Sequence, residues 1–126
     1  MYNILICDDE RDIVSALRIY LSAEGYRIFE AHTGKEALDI VAGHEIHLIL
    51  MDIMMPNMDG HQAAKAIRAL GIERSDAVTI PIIALSANAF IDDIQASLNS
   101  GMNDHISKPI NMEELIDTIT KYIKRD

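Results

Sequence analysis

LILMDIMMPNMDG, residues 48–60, is the stretch whose interpretation decides the fold. Residues 48–51 form an unbroken apolar run, and a run that short with turn signals behind it reads as a buried strand. The run closes on a charge, Asp52. Pro56, Asn57, Asp59 and Gly60 then announce a tight loop and the start of a helix. A single carboxylate therefore stands where a buried strand emerges at its carboxyl end, the place at which open α/β sheets bind ligands. Taken alone, Asp52 reads equally well as a loop residue capping the next helix, and the rest of the chain has to choose.

Outward from this stretch, the same unit recurs on both sides. Strand-like runs stand at residues 3–7, 26–30, 47–51, 81–85 and 103–107. Between them lie helical patterns. Ile13, Leu17 and Leu21 share one face, with Ala16 and Tyr20 beside them, and Gly25 ends that helix. Thr33 and Glu36 have capping-box spacing and open a short helix through Val41. Ala63, Ala64, Ile67 and Leu70 make a stripe over residues 60–70. Ile91, Ile94 and Leu98 make another over 90–100, stopped by Gly101. Asn111 and Glu114 repeat the capping spacing, and Leu115, Ile119 and Tyr122 form the last stripe. Five βα units in strict alternation imply an α/β domain with a parallel sheet covered on both faces. Five strands at this length fit the flavodoxin-like, doubly wound order 2-1-3-4-5 with five helices, whose switch point lies between strands one and three. Residues 1–126 read as one domain.

That order brings Asp8 and Asp9, after strand one, to Asp52, at the end of strand three. Three carboxylates in one crevice repel one another and stay ionised cheaply only around a cation. Oxygen-only ligands favour a hard divalent ion such as magnesium. The alternative is that Asp8, Asp9 and Glu10 simply favour the positive end of the first helix. Ser86 and Lys108 follow strands four and five at the same sheet edge. A hydroxyl and an ammonium beside a metal-bound carboxylate suit a dianionic group such as phosphoryl.

Composition narrows the classes further. The chain of 126 residues is 49% hydrophobic and 25% charged, ordinary for a soluble domain. No apolar run approaches the roughly 20 residues of a membrane span, and no signal peptide is recognisable. A net charge of −9 argues against direct nucleic-acid binding. Cys7, the lone cysteine, lies in an apolar strand and reads as an inert buried thiol of a cytoplasmic protein. There is no P-loop, no GxGxxG and no Ser-His-Asp arrangement. His32, His44, His47, His61 and His105 are not spaced as metal ligands and read as surface or edge residues.

CDDE at 7–10, MDIMMPNMDG at 51–60, ALSAN at 84–88 and SKPI at 107–110 together resemble the receiver domain of response regulators, over essentially the whole chain. The resemblance implies that Asp52 accepts a phosphoryl group from a phosphohistidine. It implies that Asp8, Asp9, Asp52 and the Met54 carbonyl hold Mg2+, that Ser86 and Lys108 contact the phosphoryl oxygens, and that Lys108-Pro109 is cis. Such a domain is a self-phosphorylating and self-dephosphorylating switch rather than a turnover enzyme. Its partners are a histidine kinase or a histidine phosphotransfer domain, with a phosphorylation-dependent dimer admitted and neither nucleic acid nor membrane bound. In the family the residue aligned with Ser86 moves with an aromatic ring aligned with His105, reshaping the face of helix four, strand five and helix five. Here that ring is an imidazole. GMNDHISKPI and TIPIIALSANAF most resemble receivers within hybrid sensor histidine kinases, so the natural chain is expected to be longer. Two alternatives stand beside the switch. One is a hydrolase using the same aspartyl chemistry, disfavoured because Met54 cannot donate a proton; the other is a receiver-like module that is never phosphorylated.

Overall fold

β1 (Asn3–Cys7) starts a five-stranded sheet in which every pairing is parallel. It is followed by α1 (Arg11–Ala23), β2 (Arg27–Ala31), α2 (Gly34–Gly43), β3 (Leu48–Asp52), α3 (Gly60–Ala69), β4 (Ile82–Ser86), β5 (Asp104–Ser107) and α4 (Met112–Tyr122). The strand order is 2-1-3-4-5, as expected. The computed structural model describes residues 2–53, 60–69, 80–86 and 101–123. Four helices lie among the described residues; the helix expected over 90–100 falls outside them, as do Met54, Ala87 and Asn88.

Burial along each strand follows its place in the sheet. β3 and β4 are buried at every position and β1 at all but its first, because helices cover both of their faces. The edge strands β2 and β5 are only partly covered. Side chains alternate between two cores. Leu5, Cys7, Ile49, Met51, Ile82 and Ala84 pack with Ala37 and Val41 of α2 and with Ala63, Ala64 and Ile67 of α3. Ile4, Ile6, Leu48, Leu50, Ile83 and Leu85 pack on the other side with Val14, Leu17 and Leu21 of α1 and with Leu115 and Ile119 of α4.

The helix ends follow local chemistry. Tyr26 N–H bonds to the Leu21 carbonyl and Gly25 N–H to that of Ser22, a Schellman closure that Gly25 permits at φ 95°. Thr33 Oγ1 accepts from Glu36 N–H at 3.1 Å, and Asn111 Oδ1 from Glu114 N–H at 3.0 Å. Two expectations shift. The buried stripe of α1 is centred on Val14, Leu17 and Leu21; Ile13 is only half-buried and Ala16 is exposed. Strands two to five lie one residue later than the apolar runs begin, since apolar character reports burial whereas pairing continues through Asp52 opposite Leu85 and Ser86 opposite Ser107.

One clamp ties α3 to the start of β5. Arg68 Nη2 donates to the Gly101 carbonyl at 2.7 Å and to Asn103 Oδ1 at 2.9 Å, and that same oxygen accepts from Ile82 N–H. Gly101 sits at φ 100°, and an added Cβ would lie 3.0 Å from Arg68 Cγ. Gly101→Ala is therefore expected to cost about 1–2 kcal/mol in urea unfolding. Unchanged stability would show that this turn relaxes freely.

Candidate functional site

The parallel register aligns the strand ends. Cys7 pairs with Met51, so Asp8, one residue on, stands beside Asp52, the last residue of β3. Ser86 pairs with Ser107, and Lys108 N–H donates to the Ser86 carbonyl at 2.7 Å. Lys108-Pro109 is cis, as the resemblance implied. Asp8, Asp9, Asp52, Ser86 and Lys108 therefore gather at the carboxyl edge of the sheet. Met54, the remaining predicted ligand, lies outside the described residues.

Charge dominates the site. Asp8 is fully buried and Asp52 is 2% exposed, while Asp9 is open to solvent. Carboxylate oxygens of the three lie within 4.8 Å of one another. Lys108 Nζ stands 3.1 Å from Asp8 Oδ2 and 3.6 Å from Asp52 Oδ1. Burial pushes the ammonium down, but the contact with Asp8 and its charge, the charge of Asp52 and the hydrogen bond to Glu10 outweigh burial and hold it above the ordinary lysine value. Burial likewise pushes the Cys7 thiol up to about 12, helped by the charges of Asp8, Asp52, Glu36 and Asp9. Cys7 thus stays protonated, an inert core residue whose Sγ–H donates to the Thr33 carbonyl at 3.4 Å.

The donor set fits a hard divalent cation. It consists of oxygen alone, and Asp8 Oδ2, buried, has no aligned hydrogen-bond donor among the described residues beyond its ion pair with Lys108. Among the described residues these aspartates are the one group able to share a metal. Neither His47 nor His105 belongs to that group. His47 Nδ1 accepts from Asn3 N–H at 2.8 Å and its Nε2 meets Glu45 at 2.7 Å, so it ties down the amino-terminal edge of the sheet, opposite the acidic cleft. His105 shares the face of Ala84, and its buried Nε2 has no hydrogen-bond partner among the described residues.

The structure adds Glu10, which the sequence left open between a helix-end charge and a site residue. Its Oε1 accepts a hydrogen bond from Lys108 Nζ at 3.3 Å. No local signal announces that contact, because the partners are 98 positions apart. Beside them an apolar cavity of about 230 Å³, lined by Ile13, Ala16, Leu17, Pro109, Ile110 and Met112, runs along the lysine stem.

Known proteins share this fold. The chain is 34% identical over 123 residues to the response regulator MprA of Mycobacterium avium, covering 98% of this chain and 51% of that protein. It thus spans about half the length of this relative. Among solved structures, it is similar to the receiver domain of the sensor histidine kinase PA1611 of Pseudomonas aeruginosa, a crystal structure with magnesium coordinated in the active-site cleft. That match has a TM-score of 0.87 and 31% identity, over 98% of each chain. The receiver domain of Saccharomyces cerevisiae Ssk1, crystallised with the histidine phosphotransfer protein Ypd1, matches with a TM-score of 0.89 and 31% identity over 96% of this chain and 88% of that one. The sequence profile described as the response regulator receiver domain matches residues 4–120, the span that carries all the strand ends of the acidic cleft, and the chain belongs to that family, a family of two-component signal transduction.

Proposed function

We propose that Asp52 is the phosphoacceptor of a two-component phosphorelay and takes its phosphoryl group from a phosphohistidine in a magnesium-dependent reaction. The observation that carries this is the geometry around Asp52: a buried carboxylate at a strand end, 3.6 Å from a fixed ammonium and within ligand-sharing distance of Asp8 and Asp9. An Asp52 oxygen attacks phosphorus in line. The O–P bond forms as the P–N bond breaks, and the imidazole nitrogen leaves with the bonding pair and is reprotonated from water. Asp8, Asp9 and Asp52, with the Met54 carbonyl, would hold magnesium, which when bound offsets charge on the phosphoryl oxygens. Lys108 pairs with one of those oxygens and the Ser86 hydroxyl bonds another, so that positioning and electrostatics make up most of the catalysis.

The donor would be a histidine kinase or a histidine phosphotransfer domain, as the Ypd1 complex of Ssk1 exemplifies for that receiver. The chain would act as a switch rather than a turnover enzyme, in the cytoplasm, where the ATP that charges a donor histidine is found. A net charge of −9 disfavours direct nucleic-acid contact, and no helix of the described residues is long and apolar enough to cross a membrane. Incubation with magnesium and phosphoramidate tests the assignment. An acid-stable, base-labile phosphoprotein is expected. Sustained turnover of free phosphate esters would favour a hydrolase, and no label would favour an inert module.

Phosphorylation would be read out through Ser86 and His105 on the face of β5, α4 and the segment at 90–100. The imidazole is smaller than the aromatic ring that the family carries there, so it fills less of the space that the Ser86 hydroxyl would vacate. With a phosphoryl mimic bound, amide shifts across β5 and α4 are expected to be larger in His105→Tyr than in the native chain, and smallest in His105→Ala. Equal shifts in all three would remove His105 from switching.

A further inference from the structure

Three carboxylates claim the single ammonium of Lys108: Asp8 at 3.1 Å, Glu10 at 3.3 Å and Asp52 at 3.6 Å. Asp8 and Asp52 are carried there by β1 and β3. Glu10 is carried there by nothing but its own side chain. It occupies the N-cap position of α1, where a side-chain oxygen ordinarily turns back onto its own helix, yet it makes no such bond. Its backbone N–H is engaged instead by Asp8 Oδ1 at 2.9 Å. The carboxylate turns to Lys108, leaving the Glu10 side chain 60% exposed at the rim of the cleft and the lysine 13% exposed beneath it.

We propose that Glu10 is a positioning residue that holds Lys108 in the resting domain and slows phosphoryl uptake by Asp52, because the ammonium must leave Glu10 to reach a phosphoryl oxygen. The proposal rests on the phosphoacceptor role of Asp52. A contact present in the resting state and lost in the transferring state stabilises only the former, and so raises the barrier between them. Asp8 and Asp52 do not act in this way, since both stay beside the lysine throughout. Glu10 is thus a brake set by one exposed side chain, and its strength is that of a solvent-screened ion pair.

The test compares uptake from phosphoramidate with magnesium in the native chain, Glu10→Gln and Glu10→Asp. Gln removes the charge. Asp keeps the charge but is one methylene too short to hold the ammonium. Both variants are expected to be faster by roughly two- to fivefold, the range of an exposed ion pair. The Lys108 ammonium resonance in 15N NMR is expected to move in both, which loss of helix stability alone would not cause. Native rates in both variants overturn the proposal. So does a faster Glu10→Gln with a native Glu10→Asp, which would mean that rim charge repels the donor without any hold on Lys108. An unmoved ammonium resonance overturns it as well. No uptake by the native chain would overturn the Asp52 assignment and the brake with it, whereas native uptake that ignores Glu10 overturns the brake alone.

Discussion

Asp52→Asn is expected to take up no phosphoryl group and, in magnesium-free buffer, to melt about 3–5 °C above the native chain, the shift that about 1 kcal/mol produces at this size. The first effect follows because an amide oxygen is a poor nucleophile and the variant keeps no other carboxylate at the end of β3. The second follows from the charge count at the cleft. Asp8, Asp52 and Glu10 gather around one ammonium, Asp9 lies within 4.8 Å of the first two, and two of the four carboxylates are buried. Removing one negative charge relieves repulsion that Lys108 only partly offsets. Added magnesium should stabilise the native chain more than the variant and narrow the gap, because ligand binding stabilises in proportion to its affinity for the folded state. Thermal melts with chelator and with magnesium, beside a phosphoramidate labelling assay, measure both. Labelling at the native level would end the assignment of Asp52. Coincident melting curves in chelator would show that Lys108 already neutralises the cluster.

Lys108→Met is expected to act in the opposite sense on stability and to slow uptake by roughly 10²–10³, the usual loss when one stabilising donor is removed from a transfer site. Methionine keeps an apolar stem to line the cavity that Ile13 and Pro109 also line, and removes the charge. Asp8, fully buried, then loses its ion-pair partner, and breaking such a pair costs about 3 kcal/mol in the absence of metal. The pH dependence has a definite sign. The folded state holds the Lys108 ammonium above its ordinary value of 10.5. A group raised in this way contributes stability that is fully present below its unfolded pKa and is lost as pH rises through the folded one. The stability gap between native chain and variant should therefore be flat from about pH 6 to about pH 9 and close only above the ordinary lysine range. Urea unfolding across pH measures the gap; closure already near neutrality would show that the ammonium is not what stabilises Asp8.

The strands and most of the site could be read from residue pattern because each depends on short-range rules. A buried parallel strand is apolar at successive positions, and a ligand-binding carboxylate can stand only where that run stops. Asp8, Asp52 and Ser86 were all legible in that way, and the cis Lys108-Pro109 bond followed from the family resemblance. The α1 stripe was less legible. Ile13 and Val14 are equally apolar and adjacent, and only the packing of α1 against β1 and β3 selects Val14 as the buried one. The Arg68 clamp on Gly101 and Asn103 had no signature at all, since an arginine on a helix and an asparagine before a strand are ordinary surface choices.

The five strands, the four helices of the described residues and the aspartates at the carboxyl ends of β1 and β3 were legible in the linear order, because periodicity and strand termination are properties of neighbouring residues, while the order 2-1-3-4-5 came from matching that alternation to a known fold class. Only the tertiary structure decided how one ammonium is shared. Lys108 meets Asp8, Glu10 and Asp52 from the far end of the chain, at distances set by sheet register and by the side-chain conformation of Glu10. Coulomb energy depends on those distances and on burial, neither of which a linear order of charges specifies.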